Sequence, residues 1–309
     1  MEREEYMLED EKYTFDVVCA GQALIDCIVR GKEEDACRKH VYRAESIALN
    51  IGGDAINEAI VLSHLGRRVK AVFGVGEDLA GQLVRDTAER YNVDISGTTM
   101  DPGLVTPIAN LHVALDGSRY SVNSEATKLE GYRVDPGLLS GARVVSLASL
   151  FRAPLDQAED ILRLVKQAKE QKSIVCADTK LPTYQKLGLD DIREILPMVD
   201  YIFPNADEAA FFTGKRDLYS MARVFFDYGV RHVVIKNGAQ GCAIFDENGY
   251  FNFPAKAVKA VDTTGAGDNF AAGFIHGILD GCSFKECCEI GIETAAESVK
   301  YMGAIGWLK

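Results

Sequence analysis

The residues best suited to chemistry in this 309-residue chain lie in Val261-Asp-Thr-Thr-Gly-Ala-Gly-Asp-Asn-Phe-Ala-Ala-Gly-Phe-Ile275. Gly265, Ala266 and Gly267 leave little side chain where a ligand would approach, and Asp268 falls in the first turn of the helix that follows. That helix is predicted to run through Phe270, Phe274, Ile278 and Leu279 and to stop at Gly281. The unbonded N–H groups and positive dipole end of such a helix start form an anion cradle suited to a phosphoryl group. An acidic first turn is also ordinary helix chemistry, which explains Asp268 but not the two glycines beside it. Two rival phosphate patterns fail on spacing. A dinucleotide fingerprint would need glycine at 270, where Phe270 stands, and no G-x-x-x-x-G-K-[ST] loop occurs.

Other candidates are weaker alone. The Gly52-Gly53 pair opens a second helix that carries Asn57 in its first turns, where the amide either bonds a hydroxyl-rich ligand or faces solvent. Asn205-Ala-Asp-Glu208 has the spacing of a capping box. The functional alternative puts Glu208 near a magnesium ion through water. Lys236-Asn-Gly-Ala-Gln-Gly241 either lines a nucleotide with glycine backbone or merely links two strands. Asp26, Asp178, Asn205 and Lys236 fall at the ends of predicted strands, where open α/β sheets bind ligands and where Asp and Asn also serve as caps.

The elements that must position these residues follow from hydrophobic spacing. Short β-branched runs at Phe15–Gly21, Val69–Val75, Arg143–Ser149, Ser173–Ala177, Tyr201–Pro204 and His232–Lys236 read as buried strands. Helical patterns at Gly52–Leu65, Gln82–Tyr91, Pro154–Lys172 and Asp217–Tyr228 alternate with them. This alternation predicts an α/β fold, a doubly wound, mainly parallel sheet with helices on both faces. Two segments break the rhythm. Residues 26–50 are strand-like, best at Ile47–Ile51, and 103–125 read as two strands around an Asp116-Gly117 turn. Both are expected to pair into a small β-lid on a single domain spanning 1–309.

The net charge, 34 basic against 46 acidic residues or −12, argues against non-specific binding to nucleic acid or anionic membranes. No apolar run approaches the roughly 20 residues of a membrane span. The acidic start, through Tyr13, reads as a frayed leader rather than a targeting signal. Eight cysteines without C-x-x-C spacing read as reduced thiols of a cytoplasmic protein.

Together the motifs resemble the ribokinase-like, phosphofructokinase-B type family of carbohydrate and nucleoside kinases. Asp262-Thr-Thr-Gly-Ala-Gly-Asp268 is similar to the family's C-terminal signature, and Gly52 to Gly66 to its N-terminal one. Gly74-Val-Gly-Glu-Asp-Leu-Ala-Gly81, Asn205 to Glu208 and Gly238 to Gly241 fall in the family's order. The resemblance implies transfer of the γ-phosphoryl group of ATP to a hydroxymethyl group of a sugar. A nucleoside kinase is the alternative on the same scaffold, and a non-catalytic ligand sensor the alternative of another class. It implies Asp268 as general base, the amides of Gly265, Ala266 and Gly267 as anion hole, and Asp26, Gly53 and Asn57 on the sugar hydroxyls. It further implies Lys236, Gly238, Gly241 and Thr264 at the nucleotide, Asn205 and Glu208 at magnesium, and a potassium site at Asp262. A homodimer through the lid is implied as well. The chain departs from the pattern in two places. Asp178-Thr-Lys-Leu-Pro182 stands where many sugar kinases carry Asp-x-Asn-x-Arg, and Gly303-Ala-Ile-Gly-Trp307 lacks a serine after Gly-Ala. Arg119, Lys128 and Arg152 are the candidate cations for an already phosphorylated acceptor.

Overall fold

The computed structural model describes residues 13–31, 44–113, 119–123, 129, 131–182 and 187–308. Its main sheet has eight strands in the order β14-β13-β12-β11-β10-β9-β1-β4. They are β1 (Phe15–Ala20), β4 (Val69–Val72), β9 (Ala142–Leu150), β10 (Ile174–Thr179), β11 (Tyr201–Ile202), β12 (His232–Lys236), β13 (Cys242–Asp246) and β14 (Gly249–Phe253). The six from β4 to β12 run parallel, and the last two fold back antiparallel as an edge hairpin.

Helices cover both faces because the strands are apolar on both sides. In β1, Val17 and Cys19 face one core, and Val18 and Ala20 face the other, the period of two that a pleated strand imposes. Over the first face lie α1 (Asp54–His64), α2 (Leu79–Arg90), α6 (Ala266–Leu279) and α7 (Phe284–Ser298), with Ile56, Ile60, Phe203 and Phe274 buried between. Over the second lie α3 (Ala158–Glu170), α4 (Ala206–Thr213) and α5 (Leu218–Asp227), packed through Ile161, Leu164, Met221 and Phe225. The Ser283–Glu286 capping box starts α7, and the Asp78 and Asp217 carboxylates accept from Gly81 N and Ser220 N to start α2 and α5.

The lid is a separate four-stranded sheet in the order β3-β2-β7-β8. It joins β2 (Leu24–Arg30), β3 (Ser46–Gly52), β7 (Ile108–Val113) and β8 (Arg119–Asn123). The Asp116-Gly117 turn, Lys128, Cys37 and the acidic leader before Tyr13 lie outside the described residues, and nothing is described of the Arg119 side chain. Two expectations change. The lid begins at Leu24, so Asp26 sits inside a lid strand and not at the end of β1. The expected strand Val69–Val75 divides after Val72, and Gly74–Gly76 (β5) leaves the main sheet to pair with Thr99–Asp101 (β6). Gly76 N–H donates to Thr106 Oγ1 at 2.9 Å and Thr106 N–H to Asp78 Oδ2 at 2.9 Å, so the glycine run braces the approach to β7. Among the described residues no helix is long and apolar enough to cross a membrane, and the seven described cysteines are free thiols.

Candidate active site

The site forms where the carboxyl ends of β9, β10 and β12 meet the starts of α1 and α6. Gly265 caps α6 with φ +70°, a left-handed conformation that favours glycine. A Cβ there would lie 2.2 Å from the Ala304 Cβ, so contact with the C-terminal tail also demands the bare backbone. The first bond closing the helix is Asn269 N–H to Gly265 O, at 2.9 Å. The N–H groups ahead of it belong to the open helix end. Of the three amides expected to hold an anion, that of Ala266 also makes a 3.3 Å bond to Thr263 O.

Asp268 is buried in the first turn of α6. Asn57 Nδ2 donates to its Oδ2 at 2.7 Å, and Asn57 Oδ1, also buried, has no partner among the described residues. The sheet thus brings together two motifs that the sequence holds far apart, and Asn57 faces the site rather than solvent. Gly53 has φ +96°, and a Cβ on it would lie 2.6 Å from Gln22 O, so the chain enters α1 where only glycine fits. The Asp26 carboxylate lies over Gly52, with Oδ2 2.4 Å from where a Cβ would stand. In the lid Asp26 is paired in register with Asn50 and Ala109.

Two lysines enter among the carboxylates. Lys236, at the end of β12, bonds Asp178 Oδ2 at 2.5 Å, and its Nζ lies 3.1 Å from the position of a Cβ on Gly267. Lys180, just past β10, pairs with Asp54 Oδ1 at 3.0 Å, while Ser149 Oγ donates to Asp54 Oδ2 at 3.0 Å. Burial raises the Asp54 pKa to about 6 despite Lys180, with Asp268 pushing the same way. Burial likewise raises Asp178 to about 7 against the pull of Lys236 and Lys180. Burial would lower Lys180, but Asp54, Asp268, Asp178 and Glu208 outweigh it and hold the ammonium well above its usual range. Behind them Glu58 is fully buried, accepts from Ser146 Oγ at 2.6 Å, and is raised well above the carboxylate range by burial and by Asp178. Burial therefore favours the neutral acid form of Glu58 beneath the site.

Asn205 and Glu208 form the complete capping box of α4, with both reciprocal bonds at 2.9 Å. Thr179 Oγ1 is a second donor, at 2.9 Å, to the Glu208 oxygen that accepts from Asn205 N–H. Gly238–Gln240 is a 3-10 turn linking β12 to antiparallel β13, so the glycine loop 236–241 is also the hairpin link. Gly238 and Gly241 both hold positive φ in it, and a Cβ on Gly241 would meet Phe253 O at 1.9 Å. Asp262 Oδ1 accepts from Thr264 N and Oγ1 at 2.9 and 2.7 Å, and its Oδ2 from Gly303 N at 2.8 Å. Asn269 Nδ2 reaches Gly265 O and Ala304 O, and Trp307 Nε1 donates to Asn269 Oδ1 at 2.8 Å. The tail therefore braces the glycine bend. Arg152 Nε donates to Leu181 O at 3.1 Å, and so braces the loop after β10.

Sequence reasoning passed over Asp54, Ser149 and Lys180 as site residues. A signal existed for two of them. Asp54 is an acidic first-turn residue behind two glycines, as Asp268 is. Lys180 is a cation in the one strand-end loop that departs from the family pattern.

An open, mainly parallel sheet with a β-lid, and a carboxylate behind a glycine bend at its carboxyl edge, define a ribokinase-like α/β kinase fold. The chain belongs to the pfkB family of carbohydrate kinases, whose profile matches residues 14–308. Its curated relatives include a cytidine kinase of Thermococcus kodakarensis, 31% identical over 82% of this chain and 88% of that one. An ATP-dependent 6-phosphofructokinase of Thermoanaerobacterium thermosaccharolyticum is 25% identical over 97% and 92%. Among solved structures, Arabidopsis thaliana ribokinase complexed with ribose and ATP has TM-score 0.77 at 22% identity, covering 95% of each chain.

Proposed function

We propose that this chain is an ATP-dependent kinase that transfers the γ-phosphoryl group to a hydroxymethyl group of a sugar or sugar-like acceptor, within one kinase domain of the cytoplasm. The observation that carries this reading is the 2.7 Å bond holding Asp268 to Asn57 beside the open start of α6. Asp268 accepts the acceptor's hydroxyl proton as general base. The amides at Gly265, Ala266 and Gly267, with Lys236 beside Gly267, hold charge on the phosphoryl oxygens. Asp26 from the lid and Asn57 from α1 bond the hydroxyls that orient the acceptor, and Gly53 lets it come close. The backbone at Thr264, Gly238 and Gly241 lines the nucleotide.

Magnesium is expected to arrive with the nucleotide and supplies charge neutralisation there. The donor set suits an ion that keeps its water. Among the described residues no group of three His, Cys, Asp or Glu side chains can hold a metal directly. The buried Asp178 Oδ1 has no partner there and fits a water of that shell. Glu208 beside the Asn205 cap would reach such a water only through the oxygen that does not accept from Asn205 N–H and Thr179 Oγ1. Potassium fits less well. Both Asp262 oxygens brace the bend and the tail, and Trp307 stands in the stretch where a serine hydroxyl is missing.

A nucleoside acceptor is the second reading, supported by the 31% identity to a cytidine kinase. An ADP-release screen with cytidine, adenosine, inosine, ribose, fructose and fructose 6-phosphate decides between them. ADP formed only with nucleosides selects the second reading. ADP formed with none of them rejects both and favours a ligand sensor.

A further inference from the structure

We propose that Lys180 is a catalytic residue of this chain, whose ammonium moves from Asp54 onto the oxygens of the phosphoryl group in flight. The inference rests on the kinase reading and assigns a role in it to the Asp178-Thr-Lys180 loop.

Three observations carry it. First, α1 holds Asp54 and Asn57 three residues apart, hence on one face. Asp54 grips Lys180 at 3.0 Å and Asn57 grips Asp268 at 2.7 Å, so one turn of helix sets the lysine beside the base. Second, the loop is built to deliver the side chain. The β9–β10 register shifts between Ala177 and Thr179, and Lys180 N–H then bonds Leu150 O at 2.9 Å. Third, the lysine is surplus to its present partner. Asp54 already stands in a first helical turn and accepts from Ser149, whereas Lys180 also feels Asp178, Glu208 and Asp268. Lys180 is only partly buried, its side chain 26% exposed, and a cation surrounded by several opposite charges can change partner without losing compensation.

Lys236 and Lys180 would then flank the transfer point from β12 and β10. In the step, the bond between the γ-phosphorus and the β–γ bridging oxygen breaks, and its electron pair leaves with the nucleoside diphosphate. A new bond forms from the acceptor hydroxyl oxygen to phosphorus, and the hydroxyl proton passes to Asp268. Lys180 neither gains nor loses a proton. It offsets charge on the equatorial oxygens, the part that a mobile cation plays in other phosphoryl transfers.

The test compares Lys180→Met, Lys180→Arg and Asp54→Asn with wild type, using the acceptor that wild type phosphorylates fastest in the screen above. Trp307, the only tryptophan in the sequence, bonds Asn269 next to the bend and reports ADP binding by its emission. Lys180→Met is expected to lower kcat by about a hundredfold or more, on the scale of removing one charge-stabilising donor. KM for both substrates and ADP binding should stay within about threefold, the mark of an interaction made only in the transition state. Lys180→Arg should recover part of kcat, and Asp54→Asn should lose far less than Lys180→Met. Should Lys180→Met fail to fold, as judged by its melting curve, Lys180→Gln replaces it under the same criteria. Equal losses in Lys180→Met and Asp54→Asn would reduce the lysine to a brace for α1 and overturn the proposal. A rise confined to the acceptor's KM would make it a binding residue, and also overturn it. A wild type that releases no ADP removes the kinase reading and this role together; an active wild type beside an equally active Lys180→Met removes this role alone.

Discussion

Asn57 Nδ2 donates to Asp268 Oδ2 across 2.7 Å, joining the start of α1 to the start of α6 over 211 positions of sequence. The bond is charge-assisted and buried, which makes it strong and fixes the carboxylate's orientation. Both residues stand in first turns led by glycine, Gly53 and Gly265, each with positive φ. The two helix starts converge on one point, and that convergence is the geometric basis of the proposed reaction.

Asp268→Asn removes the acceptor of the hydroxyl proton while keeping the shape. Turnover is expected to fall by about a thousandfold or more, within the range for a lost general base. ADP release measures turnover, and Trp307 emission checks that nucleotide still binds. Turnover near the wild-type rate would remove Asp268 from the role.

Gly265→Ala forces a Cβ into the left-handed region and onto Ala304, 2.2 Å away. The backbone alone costs about 1–2 kcal/mol, and the tail must move besides. A lower denaturant midpoint with an unchanged m-value, together with loss of activity, is the expected result.

Asp178 gives the fold a pH signature. Its folded pKa, about 7, lies above the ordinary 3.8, so the native state binds the extra proton between those values. That contribution to stability is present at low pH and is lost as pH rises through about 7. Asp178→Asn removes the titration. Its melting temperature relative to wild type should therefore rise steadily from pH 4 to pH 7. A difference that is flat, or that falls over that range, would contradict the assignment.

The lid leaves an apolar row in the open. Cys27 pairs with Leu49 and Asn110, and Asn110 with Val122, so these side chains share one face, opposite to that of Asp26. On it Ile47 is 69% exposed, Leu49 61% and Val122 56%. We propose that this face meets its counterpart in a second copy to form the homodimer. Leu49→Glu should shift a sedimentation profile from dimer to monomer. A wild type that sediments as a monomer at micromolar concentration would reject the dimer.

What the sequence determined by itself is local. The run Asp262 to Asp268 announces a glycine bend and an acidic helix start because backbone freedom and helix-end chemistry belong to contiguous residues. The same holds for the Asn205–Glu208 cap, for the buried β-α alternation and for the lid pairs. Only the tertiary structure decided which distant groups meet. Nothing near residue 57 announces residue 268, and nothing near 180 announces 54. Those distances depend on sheet order, on the register break after Ala177 and on the angle at which two helices reach the same edge. Asp26 shows the limit well. Its type was legible, but the lid strand that carries it starts at Leu24, a boundary set by pairing with β3 and β7 and not by any residue of its own. Asp262 shows the converse: the family resemblance implies a potassium ion there, and the fold adds to its local bonds from Thr264 a distant one from the amide of Gly303. Hydrogen bonds across the fold satisfy a buried carboxylate with whatever donors packing delivers, and packing is a property of the whole chain.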